Sequence, residues 1–328
     1  MKPKSFIFLL IVAFVTLLCG PSPASAVSIL GTELASFAVL SHTPDVTNTG
    51  PTTITGNVGV FDAIAVTGFK DIPDNTYVGL IPGINTPLGA GTVNAPGMIY
   101  LGGPIAGLAQ TQLSIAITDL GLLGPGTLEP VDLTGLITPG FAGLAPGVYS
   151  VPAGTTNLSG TLTLDGGGNA NAAWVFLMES TLITSAGSLS THPVVNVIGT
   201  GANAGVFWVV PSSATIKTYT EFEGNILAST SIAMQTGATD LNGRLLAHTG
   251  EVTLDTNTIS IVCPPPFGGP GFSGGLTVTQ TVNGETPTFL PFAPVEGGGG
   301  QVPEPATLLL LGSGLVGLAG FARSKFKK

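Results

Sequence analysis

From Val148 onward, short apolar runs alternate with turns of Gly, Asn and Ser at intervals of about 8–12 residues, the spacing of an all-β architecture. Leu158–Asp165, Ala172–Met178 and Gly205–Val210 read as strands. Trp174, Phe176, Phe207 and Trp208 concentrate in two of them, which marks the rings for the core rather than for stacking on a ligand. The pattern also repeats. Gly224-Asn-Ile-Leu-Ala228 returns 19 residues later as Gly243-Arg-Leu-Leu-Ala247, and Ser231-Ile-Ala-Met234 returns 20 residues later as Glu251-Val-Thr-Leu254. Gly56-Asn-Val-Gly-Val60 is an earlier echo. A period near 20 residues is one coil of a β-solenoid, in which each coil buries its inner face against its neighbours.

One stretch departs from this pattern. Ile105, Leu108, Ala109, Gln112, Leu113, Ala116, Ile117 and Leu120 recur at spacings of three and four, which predicts one helix over about 104–122. Pro104 suits its first turn, while Gly121 and Gly124 offer a stop. The fold class expected is therefore all-β with one long helix beside a solenoid.

Composition narrows the class. Charged residues are only 8% of the 328, and the 48 glycines and 26 prolines follow no period, which excludes collagen. The 44% hydrophobic content is too high for a disordered chain. Both ends carry signals. Lys2 and Lys4, the apolar run Phe6–Leu18 and Ala24-Ser25-Ala26 read as a secretory signal peptide over 1–26, placing the mature start at Val27. Cys19 falls in the discarded segment, and the bulky Leu18 before it argues against lipoprotein processing. At the other end, residues 306–322 form an uncharged apolar run of spanning length, followed by Arg323, Lys325, Lys327 and Lys328. Between 27 and 301 only Lys70, Lys217 and Arg244 face seventeen acidic residues, a formal charge of −14. Such a surface repels phosphates, so no nucleic-acid partner is expected. Cys263 is the one cysteine left after export, so no intrachain disulfide can form. Reducing agent should accordingly leave the thermal midpoint unchanged; a fall of several degrees would reveal a dimer linked through Cys263.

Val302-Pro303-Glu304-Pro305, the apolar run and the basic tail together resemble the PEP-CTERM sorting signal of Gram-negative bacteria. The resemblance implies recognition by an exosortase, cleavage near the motif, and delivery to the cell envelope, surface or extracellular matrix. A permanent tail anchor is the plainer alternative. The body has a second resemblance. Ser36–Leu40, Val46–Val60, the Ala/Gln/Leu-rich helix, Leu144–Tyr149, Leu158–Asp165, the Trp174 strand, Phe222–Ala228, Thr236–Thr239, Asn242–Arg244 and Val252–Ile259 follow one another as in the microbial ice-binding proteins with a discontinuous β-solenoid. This implies a right-handed solenoid of triangular section over 27–262 with the helix packed alongside, and an ice crystal surface as partner. Residues 263–301, rich in Pro and Gly, read as a linker in which 276–292 can form a strand pair.

Enzyme chemistry finds little footing. His42, His192 and His248 are dispersed, with no zinc-ligand spacing and no nucleophile elbow or phosphate loop, so no activity, metal or cofactor is expected. Asp165–Asn171 lacks the alternating carboxylates of a calcium loop. Threonine offers more. Solenoid strands stack about 4.8 Å apart, so a column of Thr, Ser and Ala on a flat, untwisted face repeats at nearly crystalline spacing. Its methyls order adjacent water and its hydroxyls hydrogen-bond that water. Thr215, Thr218, Thr236, Thr239, Thr253 and Thr256 recur across successive coils and are the candidates for an ice-binding face, with Lys217 and Glu251 as charges nearby. The Thr-[Ala/Gly]-x-[Thr/Asn] pattern associated with the family occurs at 49–52, 200–203 and 236–239, against roughly two matches expected by chance. The alternative function is an extracellular matrix or adhesive structural protein of the same fold, in contact with extracellular polysaccharide instead of ice.

Overall fold

The computed structural model describes residues 27–63, 65–79, 89–262, 271–281 and 284–295. The repeat near 20 residues becomes coils of three short strands, each strand pairing in parallel with its counterpart in the next coil. The expected offsets appear directly in the register: Asn225 pairs with Arg244, and Ile232 with Val252. Ten strands form face 1, and thirteen more wrap the other two faces as one folded sheet. Face 2 stacks Leu182–Ile183, Ala214–Ile216, Ile232–Met234, Val252–Asp255, Val46–Thr49 and Val66–Phe69. Face 3 stacks Thr161–Asn169, Val194–Thr200, Glu221–Phe222, Thr239–Asp240, Thr258–Ser260, Thr53–Thr55 and Gly89–Asn94.

Coil order in space differs from order along the chain. The strand Val252–Asp255 pairs with Val46–Thr49, so the last coils stack upon the first. The connection that makes this possible is the helix α1, Gly103–Gly121. Its 19 residues rise about 28 Å, close to the height of six coils, and so return the chain to the far end of the stack. Its inner side is Ala106, Ala109, Gln110, Leu113, Ala116, Asp119 and Leu120. The apolar members of that set except Ala106 pack on Ala173, Val175, Phe207, Val209, Leu227 and Leu246 of face 1. Leu108, expected on the packed side, is instead 55% exposed, while Gln110 is buried with its amide donating to the Ala247 carbonyl. Three small alanines let the helix approach the sheet closely, so polar Gln110 is drawn in as well.

Inside the coils the aromatic core expectation is met. Tyr149, Phe176 and Trp208 form a ladder across successive coils at ring separations of 5.6 and 4.0 Å, and Phe222, from the third wall of the Trp208 coil, packs on the Trp208 ring at 5.0 Å. The indole N–H of Trp174 donates to the Leu144 carbonyl, which lets that ring be fully buried. Arg244 is also fully buried. Its Nη1 donates to Asn225 Oδ1 and to the Gly271 carbonyl, and Nε and Nη2 donate to the Ala35 carbonyl. One guanidinium thus fastens the start and the end of the body to its middle.

The linker expectation needs correction within 271–295. These residues belong to the same compact unit as the coils, which extends to Val295. Leu276–Thr281 and Gly284–Phe289 do form the expected antiparallel pair, and Val27–Ser28 adds a third strand. Leu276 and Val278 are buried in the cluster that α1 and face 1 share, a gain in apolar burial that a free linker would forgo. Among the described residues no helix is long and apolar enough to cross a membrane. The signal peptide, the apolar run 306–322, the sorting motif and Cys263 lie outside the described residues.

Candidate functional site

Face 1 is covered by α1 and the strand pair, which among the described residues leaves two faces open. On face 2 the inward residues are apolar: Ala214, Ile232, Val252, Val46 and Val66 stack in register. The residue after each points outward. The outward column therefore reads Ile183, Thr215, Ala233, Thr253, Thr47, Thr67 over six strands, with no register shift along the five pairings. Every member is small except Ile183 at the end of the stack. Successive β-carbons lie one strand spacing, about 4.8 Å, apart.

The flanks of this column are less uniform. One side carries Ser213, Ser231, Glu251 and Asp45, whose backbone carbonyls accept from the strand residues of the preceding coil. The other carries Lys217, Gln235, Asp255 and Thr49. Here the surface dips into a groove of about 380 Å³ lined in part by Thr49, Thr218, Ala233, Gln235, Thr253 and Asp255. The Asp255 carboxylate is occupied by two hydroxyls, those of Thr236 and Thr256.

Face 3 carries a second column. Thr239, Thr258, Thr53 and Thr92 stand side by side on four consecutive strands, and Ser260, Thr55 and Asn94 run parallel to them. Glu221 interrupts the column beyond Thr239 and lies 3.2 Å from the His192 ring nitrogen. Further along, the pairing of Thr161–Asn169 with Val194–Thr200 shifts register. Face 3 is the less regular of the two.

The six threonines singled out from the sequence therefore do not form one surface. Thr215 and Thr253 share the face 2 column, and Thr239 opens the face 3 column. Thr218, Thr236 and Thr256 sit at the corner between them. In four consecutive coils that corner carries a left-handed residue, taken by Tyr219, Gly237, Thr256 and Gly50 with φ of 58, 72, 54 and 78°. Thr218 spends its hydroxyl on the Gly187 carbonyl of the next coil. Of the other motif matches, Thr52 and Thr200 are buried, the former accepting the Asn257 amide and the latter donating to the Asn169 carbonyl. Sequence reasoning missed Thr47, Thr67, Thr53, Thr92 and Thr258. The signal was present, because Val46-Thr47 and Thr53-Ile54 are matched by Val252-Thr253 and Thr258-Ile259.

The histidines are less dispersed than their numbers suggest. His248 titrates below the ordinary histidine range, first through burial and then through the proximity of His42. Among the described residues no cluster of three or more His, Cys, Asp or Glu could hold a metal ion.

The ice-binding-like family model matches residues 39–260, the whole solenoid and its helix. The chain belongs to the ice-binding-like family. A second model, the PEP-CTERM protein-sorting motif, matches residues 301–324. An ice-binding protein of Nostoc sp. (strain HG1) is 37% identical over 326 residues, 99% of this chain and 97% of that protein. An ice-binding protein of Colwellia sp. is 31% identical over 70% of this chain and 81% of its own length. Among solved structures, the ice-binding protein of the Antarctic ascomycete Antarctomyces psychrotrophicus superposes with a TM-score of 0.56 at 28% identity, covering 73% of this chain and all of that one.

Proposed function

We propose that the protein binds ice, and that it does so through face 2. The observation carrying this reading is the column Thr215, Ala233, Thr253, Thr47, Thr67, which continues strand by strand in one register on an uncovered face. A β-branched hydroxyl residue at a fixed repeat offers a methyl that excludes bulk water and an oxygen that anchors it, so first-shell water is held in a repeating order before ice arrives. Such preorganisation reduces the ordering cost of docking. Face 3 is a second candidate because Thr239, Thr258, Thr53 and Thr92 form an uncharged run of four. Thr218, Thr236 and Thr256 would then border both faces.

The test of ice binding is partition during slow freezing. When a dilute solution is frozen gradually from one cold surface, the protein should enrich in the ice fraction while an added control protein remains in the liquid. Equal exclusion of both proteins would end the ice reading and leave the structural or adhesive one.

We further infer export followed by sorting at the C-terminal motif, which would place the solenoid in the envelope or outside the cell. The mature protein is expected to begin at Val27 and to lack the residues after about Pro305. Mass spectrometry of the surface form should show both ends; an intact Lys328 there would instead mean a retained anchor.

A further inference from the structure

The corner where face 3 turns into face 1 holds more buried oxygen acceptors than donors to satisfy them. Asp240 is fully buried, and its carboxylate oxygens have the backbone N–H groups of Gly224 and Asn242 close by but no hydrogen bond of full geometry from either. Glu223 Oε2 and Asn242 Oδ1 are also buried without a partner. These groups are held together. Asn242 Nδ2 donates to Glu223 Oε1 at 2.9 Å, and Asp240 pairs in register with Phe222, the residue before Glu223. A buried acceptor left unpaired is costly, and four in one corner demand hydrogen or positive charge from somewhere.

The charges facing this corner can be counted. Arg244 approaches from face 1, but its guanidinium is committed to Asn225, Gly271 and Ala35. Its single charge can offset one carboxylate. Glu221, on the strand leading to Glu223, adds a third carboxylate, and it is exposed and engaged with His192. One negative charge is therefore unmatched in a buried place.

We propose that Glu223 and Asp240 hold a proton between them that locks this corner of the coil and is released as the pH rises. A carboxylic acid donates where a carboxylate cannot, so protonation supplies the hydrogen that the orphaned oxygens lack and removes the unmatched charge together. The electrostatics of the corner agree. Burial pushes Glu223 up to about 7, and burial followed by the neighbouring Glu223 charge pushes Asp240 well above the carboxylate range. Both groups keep protons in the folded chain that the unfolded chain has already lost. The stability they confer is complete at acidic pH and declines as pH rises above the ordinary carboxylate range, through about 7 for Glu223. His248, whose folded value is depressed, contributes the opposite slope below the ordinary histidine value.

Thermal unfolding of the full chain from about pH 5 to about pH 9 tests this, with Glu223→Gln and Asp240→Asn measured alongside. The wild-type midpoint should fall by several degrees between about pH 5 and about pH 7, and each amide variant should flatten that fall. Infrared spectra at neutral pH should show a carboxylic-acid C=O band that Asp240→Asn removes, a signature that a merely structural role would not move. A flat wild-type profile would overturn the proposal, as would slopes unchanged in both variants. So would a wild-type midpoint raised at alkaline pH by calcium chloride and indifferent to it in Asp240→Asn, since the corner would then hold a cation.

Discussion

Replacing Thr253 by tyrosine should strip the protein of most of its ice recrystallisation inhibition while leaving it folded. Thr253 lies mid-column on face 2, between Ala233 and Thr47, with its side chain directed away from the core. A phenol ring there stands several ångströms above neighbours that end in methyl and hydroxyl groups, and so holds the adjoining coils off a flat crystal. Binding spread over a repeating surface fails when the surface no longer touches. We expect at least about a tenfold higher protein concentration for the same inhibition, the equivalent of about 1.4 kcal/mol. The fold should tolerate the change, because an outward substitution on a half-exposed strand costs within about 0.5 kcal/mol. Circular dichroism and the melting midpoint should stay close to wild type. Thr258→Tyr on face 3 is the informative control. If it abolishes inhibition and Thr253→Tyr does not, the active surface is face 3.

Arg244→Ala should have the largest effect on stability. The side chain is fully buried and makes hydrogen bonds to the Ala35 and Gly271 carbonyls and to Asn225 Oδ1. Truncation leaves those acceptors unpaired and exposes Asp240 to an interior with no counter-charge. Breaking a buried charged network by removing one partner costs roughly 3–5 kcal/mol. For a body of this size that is about a 10 °C drop in melting midpoint. Arg244→Lys should rescue only part of it, since a single ammonium cannot span the same set of acceptors. A midpoint within about 2 °C of wild type in the alanine variant would mean that water replaces the guanidinium without loss.

The period, the helix and the aromatic core were legible in the chain because each is a local pattern. Gly224–Ala228 and Gly243–Ala247 announce their own pairing, and the spacing of Ala109, Leu113, Ala116 and Leu120 announces a helix whose inner side the structure bears out. Contacts between the two ends of the chain were not legible in that way. Thr253 and Thr47 are neighbours only because α1 carries the chain back along the stack, which makes coil order differ from sequence order. Candidate threonines chosen from successive repeats therefore captured two members of the face 2 column and one of the face 3 column. The corner residues Thr236 and Thr256 recur with the same period, yet in their coils a left-handed turn at Gly237 and Thr256 takes that position out of the strand. Periodicity locates a residue along the coil; only the backbone geometry says which wall it belongs to. The linker reading failed for a related reason. Pro and Gly in 263–301 suggested a spacer, but Leu276 and Val278 found apolar partners on α1 and face 1 that sequence spacing does not reveal.

Recrystallisation inhibition by the purified wild-type protein is the most direct measurement of ice binding. Held just below the melting point in a fine-grained frozen film, crystals should stay small at micromolar protein while they coarsen in a matched film without it. Coarsening at the same rate in both films would contradict ice binding, whichever face is considered.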